Sequence, residues 1–298
     1  SEAQSSTRFT IEQILSYPFC YSLVAARKAD RIAWLEAQQG KRNLFTAASP
    51  DFKPVRLTSY LNDDGIDLLS PAISDDGSIV VFVRGHNPNR QGWVANPAHY
   101  PDGVEQAIWA VRTAGGKPFR VAAGSNPVLS PDGKMVLWVK EGQIYGASLD
   151  LIEKKGGNKP EEDAQLQPLF RTWGTNSNPV WSPDSKKIAF VSDREDHSFI
   201  GVYDVATRKI IYLAPSVDRD SSPTWSPDGK KIAFIRRPGF SFSQIVAAAQ
   251  ARAATSRTPG FIMIPPTVAA PPSERRQVEQ PAQPAQTASG PGFVEAKF

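Results

Sequence analysis

The chain has 298 residues, with 34 Lys and Arg against 30 Asp and Glu, three His and a single Cys. A net charge of +4 over this length is too mild to point to nucleic acid, one cysteine permits no internal disulfide, and scattered His without paired Cys leave no zinc-type ligand cluster. No apolar run approaches the roughly 18 residues of a spanning helix, so no membrane span is expected.

In chain order, the first signal is Thr10-Ile11-Glu12-Gln13, which has capping-box form and predicts one short helix within a lead over residues 1–17. Strand-like runs follow at Tyr21 to Ala25, Arg31 to Glu36, Asn43 to Ala47 and Pro54 to Thr58. A related set begins at Ser70-Pro71 and runs through Ser74-Asp75-Asp76-Gly77 to Phe82; it carries an insertion from Gly85 to Glu105 between its second and third strands. The set returns as Asn126-Pro127-Val128-Leu129-Ser130-Pro131-Asp132-Gly133, reaching Trp138, and is followed by Glu161-Glu162-Asp163, expected as a solvated link. The clearest copies are Asn178-Pro179-Val180-Trp181-Ser182-Pro183-Asp184-Ser185-Lys186-Lys187-Ile188-Ala189-Phe190 and Ser222-Pro223-Thr224-Trp225-Ser226-Pro227-Asp228-Gly229-Lys230-Lys231-Ile232-Ala233-Phe234.

With the serine of the turn as origin, the copies start at 26, 74, 130, 182 and 226, which are 48, 56, 52 and 44 residues apart. Six places on stands a β-branched residue and eight places on an aromatic: Trp34, Phe82, Trp138, Phe190 and Phe234. That spacing puts both on one face of a strand, as the core of a blade. In the turn, Pro presets φ, Asp bonds the backbone two residues on, and Gly accepts positive φ. Hairpin chemistry therefore accounts for Asp76 and Gly77, Ser130 to Gly133, Ser182 to Asp184, and Ser226 to Gly229, ahead of a metal-ligand or general-base role for the four Asp. Four antiparallel strands per repeat of this length give an all-β chain, a β-propeller of four-stranded antiparallel blades over residues 18–238.

The fifth copy shows only two strands before an Ala/Pro/Gln-rich insertion at 239–292, expected to be largely flexible, with Gln244 to Arg257 as a helix candidate. Phe293 to Phe298 resumes strand alternation as part of the fifth blade, so about four and a half blades are visible and the ring is expected to be incomplete. The alternative is a five-bladed ring completed by Phe293 to Phe298 and an N-terminal strand. The loops expected on one face, including both large insertions, suit either a contact surface or tolerated loop growth.

No nucleophile elbow, phosphate loop or catalytic constellation can be assembled, so no catalytic residue, cofactor or metal ligand is assigned. The Ser-Pro-Asp-Gly-Lys-Lys-Ile-Ala-Phe repeats resemble those of TolB-like proteins and of the N-terminal propellers of prolyl-oligopeptidase-type serine peptidases. The segments Phe9 to Ser16, Arg31-Ile32-Ala33-Trp34, Asn62-Asp63-Asp64-Gly65 and Glu105-Gln106-Ala107-Ile108-Trp109 are similar to the opening of bacterial members of that peptidase family, in its dipeptidyl-peptidase and acylaminoacyl-peptidase branches. The resemblance implies a substrate gate and scaffold whose partners are a downstream α/β-hydrolase domain and short peptide substrates. Glu161-Glu162 is the nearest match to the family's amine-binding pair, in a setting that differs. The alternative is a TolB-like periplasmic protein-binding propeller without catalysis. A start at Ser1 suits a processed form and, with the resemblance, a periplasmic or secreted location.

Overall fold

The computed structural model describes residues 9–239 and the backbone of 292–297. Thr10 opens helix α1 (Ile11–Ser16): its hydroxyl accepts from the Gln13 amide at 3.1 Å while the Gln13 side chain accepts from the Thr10 amide at 2.9 Å. Strands β1 (Phe19–Ala25), β2 (Arg31–Gln38), β3 (Lys41–Ala48) and β4 (Val55–Arg56) form a four-stranded antiparallel sheet in sequence order. A second such sheet comprises β5 (Leu68–Ile73), β6 (Ile79–Arg84), β7 (Ala107–Arg112) and β8 (Phe119–Ala123). These are blades of a propeller.

The third blade departs from expectation. It has three strands, β9 (Val128–Leu129), β10 (Met135–Lys140) and β11 (Gln143–Ser148), and then helix α2 (Leu149–Lys154) where a fourth strand is expected. Leu149 and Ile152, three apart, are both buried in the core, and that spacing belongs to a helix face and not to a strand. A single bond from the Leu169 amide to the Ile144 carbonyl marks the place of the missing ladder. The fourth blade has β12 (Thr175–Trp181), β13 (Lys187–Asp193), β14 (Ser198–Asp204) and β15 (Ile210–Leu213), and the fifth has β16 (Arg219–Trp225), β17 (Lys231–Arg237) and β18 (Gly292–Lys297). One parallel pairing, Ser198 with Arg219, joins these two blades into one seven-stranded sheet. The helix expected over Gln244 to Arg257 and most of the 239–292 insertion lie outside the described residues.

Four apolar clusters lie between successive blades. Phe82 and Val80 face the first blade, Trp138 and Val136 the second, Phe190 and Ile188 the third, and Phe234 and Ile232 the fourth. Residues one place out of phase, Val81, Leu137 and Ala189, pack the opposite way, toward the following blade. The second, third and fourth sheets are thus apolar on both faces and covered by their neighbours, which is the physical reason the blades stack side by side. Trp34 stacks on Phe45 within its own blade, with centroids 5.8 Å apart.

Each first strand carries the same backbone device. Ser22, Ser70, Asn126, Asn178 and Ser222, four places before each origin, all have positive φ, between 48° and 55°. In four blades the strand register slips at this point, a bulge that bends the strand.

Candidate functional site

The first strands of the blades converge on a cavity of about 310 Å³, lined by Val24, Ala25, Ala72, Ile73, Val128, Leu129, Val180 and Trp181 and bounded at its turn end by Arg27, Asp75 and Pro131. Val24, Ala72 and Val180, where the bulges of three inner strands end, belong to this lining. The Trp181 and Trp225 indoles donate to the Val128 and Val180 carbonyls, at 3.2 and 3.1 Å, each tying its inner strand to that of the preceding blade.

One mouth of the passage is bounded by the Ser-x-Asp turns, with Asp75 standing in place of the proline in the second blade. In all four, the serine hydroxyl donates to the aspartate at 2.6 Å: Ser74 to Asp76, Ser130 to Asp132, Ser182 to Asp184 and Ser226 to Asp228. Each serine oxygen accepts the amide five residues on, at Ile79, Met135, Lys187 and Lys231, and each aspartate accepts the amide two residues on. The amides of Gly77, Gly133, Ser185 and Gly229 close the turns onto the serine carbonyls. Bonds with the serine hydroxyl and the Lys186 and Lys230 amides hold the Asp184 and Asp228 carboxyls below their ordinary value. At Asp76 burial pulls upward, but the bonds from Ser74 and Ser78 prevail and the net shift is downward.

The turns also link to each other around the axis. The Lys28 amide donates to the Asp75 carbonyl at 2.7 Å, the Asp75 amide to the Pro131 carbonyl at 2.9 Å, and the Asp132 amide to the Ser185 hydroxyl at 3.1 Å. Pro183, Pro227 and Gly229 complete the fourth and fifth turns, with Gly229 at φ +69°. The aspartate oxygens that would serve as ligands or bases are thus bonded inside their own hairpins.

The other mouth bears the loops and is rich in arginine. Arg84, at the end of β6, pairs with Asp64 at 2.5 Å and lies 4.5 Å over the Tyr60 ring, whose hydroxyl is pushed up mainly by burial. Arg236, at the same place in the fifth repeat, forks onto the fully buried Asp220 at 2.7 and 2.8 Å. Arg120, only 6% exposed, bridges Glu105 and Asp163. Burial opposes its charge, but the two carboxylates prevail and hold the guanidinium firmly protonated. This corrects the expectation of a solvated Glu161-Glu162-Asp163 link: the segment is a 3-10 turn whose Asp163 also accepts from the Ala123 amide at 3.0 Å, while Glu162 turns to Lys155. These arginine pairs were not anticipated, although Arg84 and Arg236 both stand ten places after their origins, with Asp64 in the loop before β5 and Asp220 at the start of β16, paired directly with Arg236.

Among the described residues His86 bonds Asp67 at 2.9 Å and the Gly65 carbonyl at 2.8 Å, and His197 bonds Asp196 at 2.6 Å; neither meets a serine. Among the described residues there is no group of three or more His, Cys, Asp or Glu that could hold a metal ion, and no helix long and apolar enough to cross a membrane.

No protein-family model and no curated protein matches the sequence. Solved structures do. One from a study of two prolyl endopeptidases is 13% identical with a TM-score of 0.50, over 74% of this chain and 33% of that one. A puromycin-hydrolyzing peptidase from Mycobacterium tuberculosis is 16% identical with a TM-score of 0.47, over 76% and 37%. TolB from Agrobacterium tumefaciens is 19% identical with a TM-score of 0.42, over 76% and 72%. The likeness to the prolyl endopeptidase structure identifies the fold of this chain as that of a β-propeller, at an identity where likeness extends to fold alone.

Proposed function

We propose that this chain is the propeller portion of a serine peptidase, a substrate gate and scaffold whose chemistry resides in an α/β-hydrolase domain supplied by further polypeptide. The observation that supports the reading is the cavity of about 310 Å³ at the centre of the blades, framed by four inner strands, mixed in polarity, and bounded at one end by hydrogen-bonded turns. A cavity of this volume has room for a short peptide segment and none for a folded domain. The parent reaction is acyl transfer to a serine, with short peptides as substrates. A periplasmic or secreted location goes with this proposal.

The test compares this chain with the polypeptide encoded by its full native reading frame. A fluorophosphonate probe is expected to label the longer product and not this chain, and only the longer product is expected to cleave short fluorogenic peptides. A native frame lacking a Gly-x-Ser-x-Gly segment, or a longer product that neither labels nor cleaves, overturns the proposal. It would favour the second reading, a TolB-like protein-binding propeller. That reading draws on the exposed apolar side chains of the loop-bearing mouth, Trp93, Trp173 and Val217.

A further inference from the structure

The loop-bearing mouth holds a second cavity, away from the axis. It measures about 390 Å³, lies between the fourth and fifth blades, and is lined by Trp173, Gly174, Thr175, Asp193, Arg194, Glu195 and Arg219. Its size is that of a small-ligand site.

Two features of the wall are built, not incidental. The first is Trp173. The residue is 81% exposed, yet the loop that carries it is anchored by several hydrogen bonds. Its carbonyl accepts from the Ser192 hydroxyl at 3.2 Å, the Gly174 carbonyl from Gln143 at 3.1 Å, and the Thr172 hydroxyl donates to Asn176 at 2.7 Å. Gly174, at φ +79°, lets the loop touch the next strand: a Cβ there would lie 2.0 Å from the Asp193 carbonyl oxygen. A large ring held out in water on a fixed loop offers contact area at little entropic cost on binding.

The second is Arg194. Its Nε donates to Ser192 Oγ at 3.2 Å and one terminal nitrogen to the Tyr212 hydroxyl at 3.0 Å. The guanidinium also lies 5.5 Å and 5.4 Å from the Phe199 and Tyr212 ring centres. Two of five N–H groups are so used, and a fork held this way is ready for a carboxylate. Buried Ser192 thus serves both elements, fixing the tryptophan loop through its proton and the arginine through its oxygen. Arg219 is engaged by Asp193 at 3.5 Å and by the Glu195 carbonyl. Glu195 itself, at φ +75°, is a strained non-glycine residue on the rim.

We infer that this cavity binds the C-terminal end of a peptide, with the free carboxylate on Arg194 and an apolar or ring-bearing terminal side chain on Trp173. Asp193 and Glu195 balance the two arginines, so the site suits one carboxylate beside peptide N–H donors and disfavours a polyanion such as an oligouronate. The inference goes beyond the peptidase reading and does not depend on it.

The test is calorimetry on this chain with N-acetyl-Ala-Ala-Phe as free acid and as C-terminal amide, and with digalacturonate. The acid is expected to bind, the amide at least tenfold more weakly, and digalacturonate not at all. Trp173→Ala is expected to weaken the acid at least tenfold with no change in melting temperature, and Arg194→Lys, which keeps the charge without the fork, to weaken it similarly. Equal binding of acid and amide, no binding of the acid by folded protein, full binding by the Trp173 variant, or binding of digalacturonate in place of the peptide would each overturn the inference. Should Arg194→Lys unfold, the acid-amide ratio and the Trp173 variant still decide. Labelling and cleavage by the longer polypeptide are read separately, so loss of one idea leaves the other intact.

Discussion

Gly201 offers a sharp test of blade packing. It pairs across the sheet with Phe190, and a methyl group added at its Cα would sit 2.4, 2.7 and 2.9 Å from three ring carbons of Phe190. Carbon atoms in contact prefer about 3.5–4.0 Å, so the ring would have to retreat by roughly 1 Å. It has no room to do so, being fully buried with the Phe170 ring 4.8 Å away. Overpacking of this kind costs about 1–3 kcal/mol. At roughly 2–4 °C per kcal/mol for a chain of this size, Gly201→Ala should lower the melting temperature by about 4–8 °C for a mid-range 2 kcal/mol. Phe190→Leu removes the ring carbons that clash, so the double variant should recover about 1 kcal/mol or more relative to the sum of the singles. The assay is urea denaturation followed by tryptophan fluorescence, with the m-value held constant across the four proteins. Additivity within about 0.5 kcal/mol would refute the reasoning, because the methyl would then be excluded by something other than the Phe190 ring.

The Ser-Pro-Asp turns predict an acid-sensitive collar. The Ser182 bond and the Lys186 amide depress the Asp184 carboxyl below 3.8, so its stabilisation is fully present above that value and is lost as pH falls through the lower folded-state value. Ser182→Ala should cost about 1–2 kcal/mol at pH 7, because the Lys187 amide loses its acceptor, and should flatten the decline in stability below pH 4; an unchanged acid limb would contradict the assignment. Asp220→Ala leaves the Arg236 fork facing no carboxylate and should cost about 3 kcal/mol, with little dependence on salt because Asp220 is fully buried; a loss under 1 kcal/mol by denaturation would show that the pair is dispensable.

The repeat was legible because one turn recurs with its spacing to an aromatic preserved, and that aromatic in the last four blades fills the gap to the preceding blade. The strand bounds of the first blade follow from the same alternation: Arg31 to Glu36 was expected where β2 runs Arg31–Gln38, and Asn43 to Ala47 where β3 runs Lys41–Ala48. The third blade was misjudged because Leu149-Asp150-Leu151-Ile152 is too short a stretch for its three-residue spacing to stand out from strand alternation. The positive-φ residue had a visible sign in the last four blades, Ser or Asn before Pro, absent at Ser22-Leu23, but a residue before proline is normally extended, so the local rule pointed away from it. The arginine-carboxylate pairs were hidden for a different reason. Arg120 meets Asp163 across 43 residues and Arg84 meets Asp64 across 20, and sequence pattern carries no distance of that kind.

The two mouths differ in how free they are to carry function. At the turn end the Lys28, Asp75 and Asp132 amides each bond the turn of the next blade, and the aspartates are consumed by their own hairpins, so a substitution there acts first on folding. At the loop end side-chain pairs, Arg84 with Asp64, Arg120 with Glu105 and Asp163, Arg236 with Asp220, tie loops and strand ends together around loops of unequal length. Pairs of this kind fix the loops without dictating their tips, which leaves an exposed residue such as Trp173 free to vary without cost to the sheet. Binding chemistry is therefore expected at the end where the repeat is least regular, and the regularity that makes the fold readable is a poor guide to it.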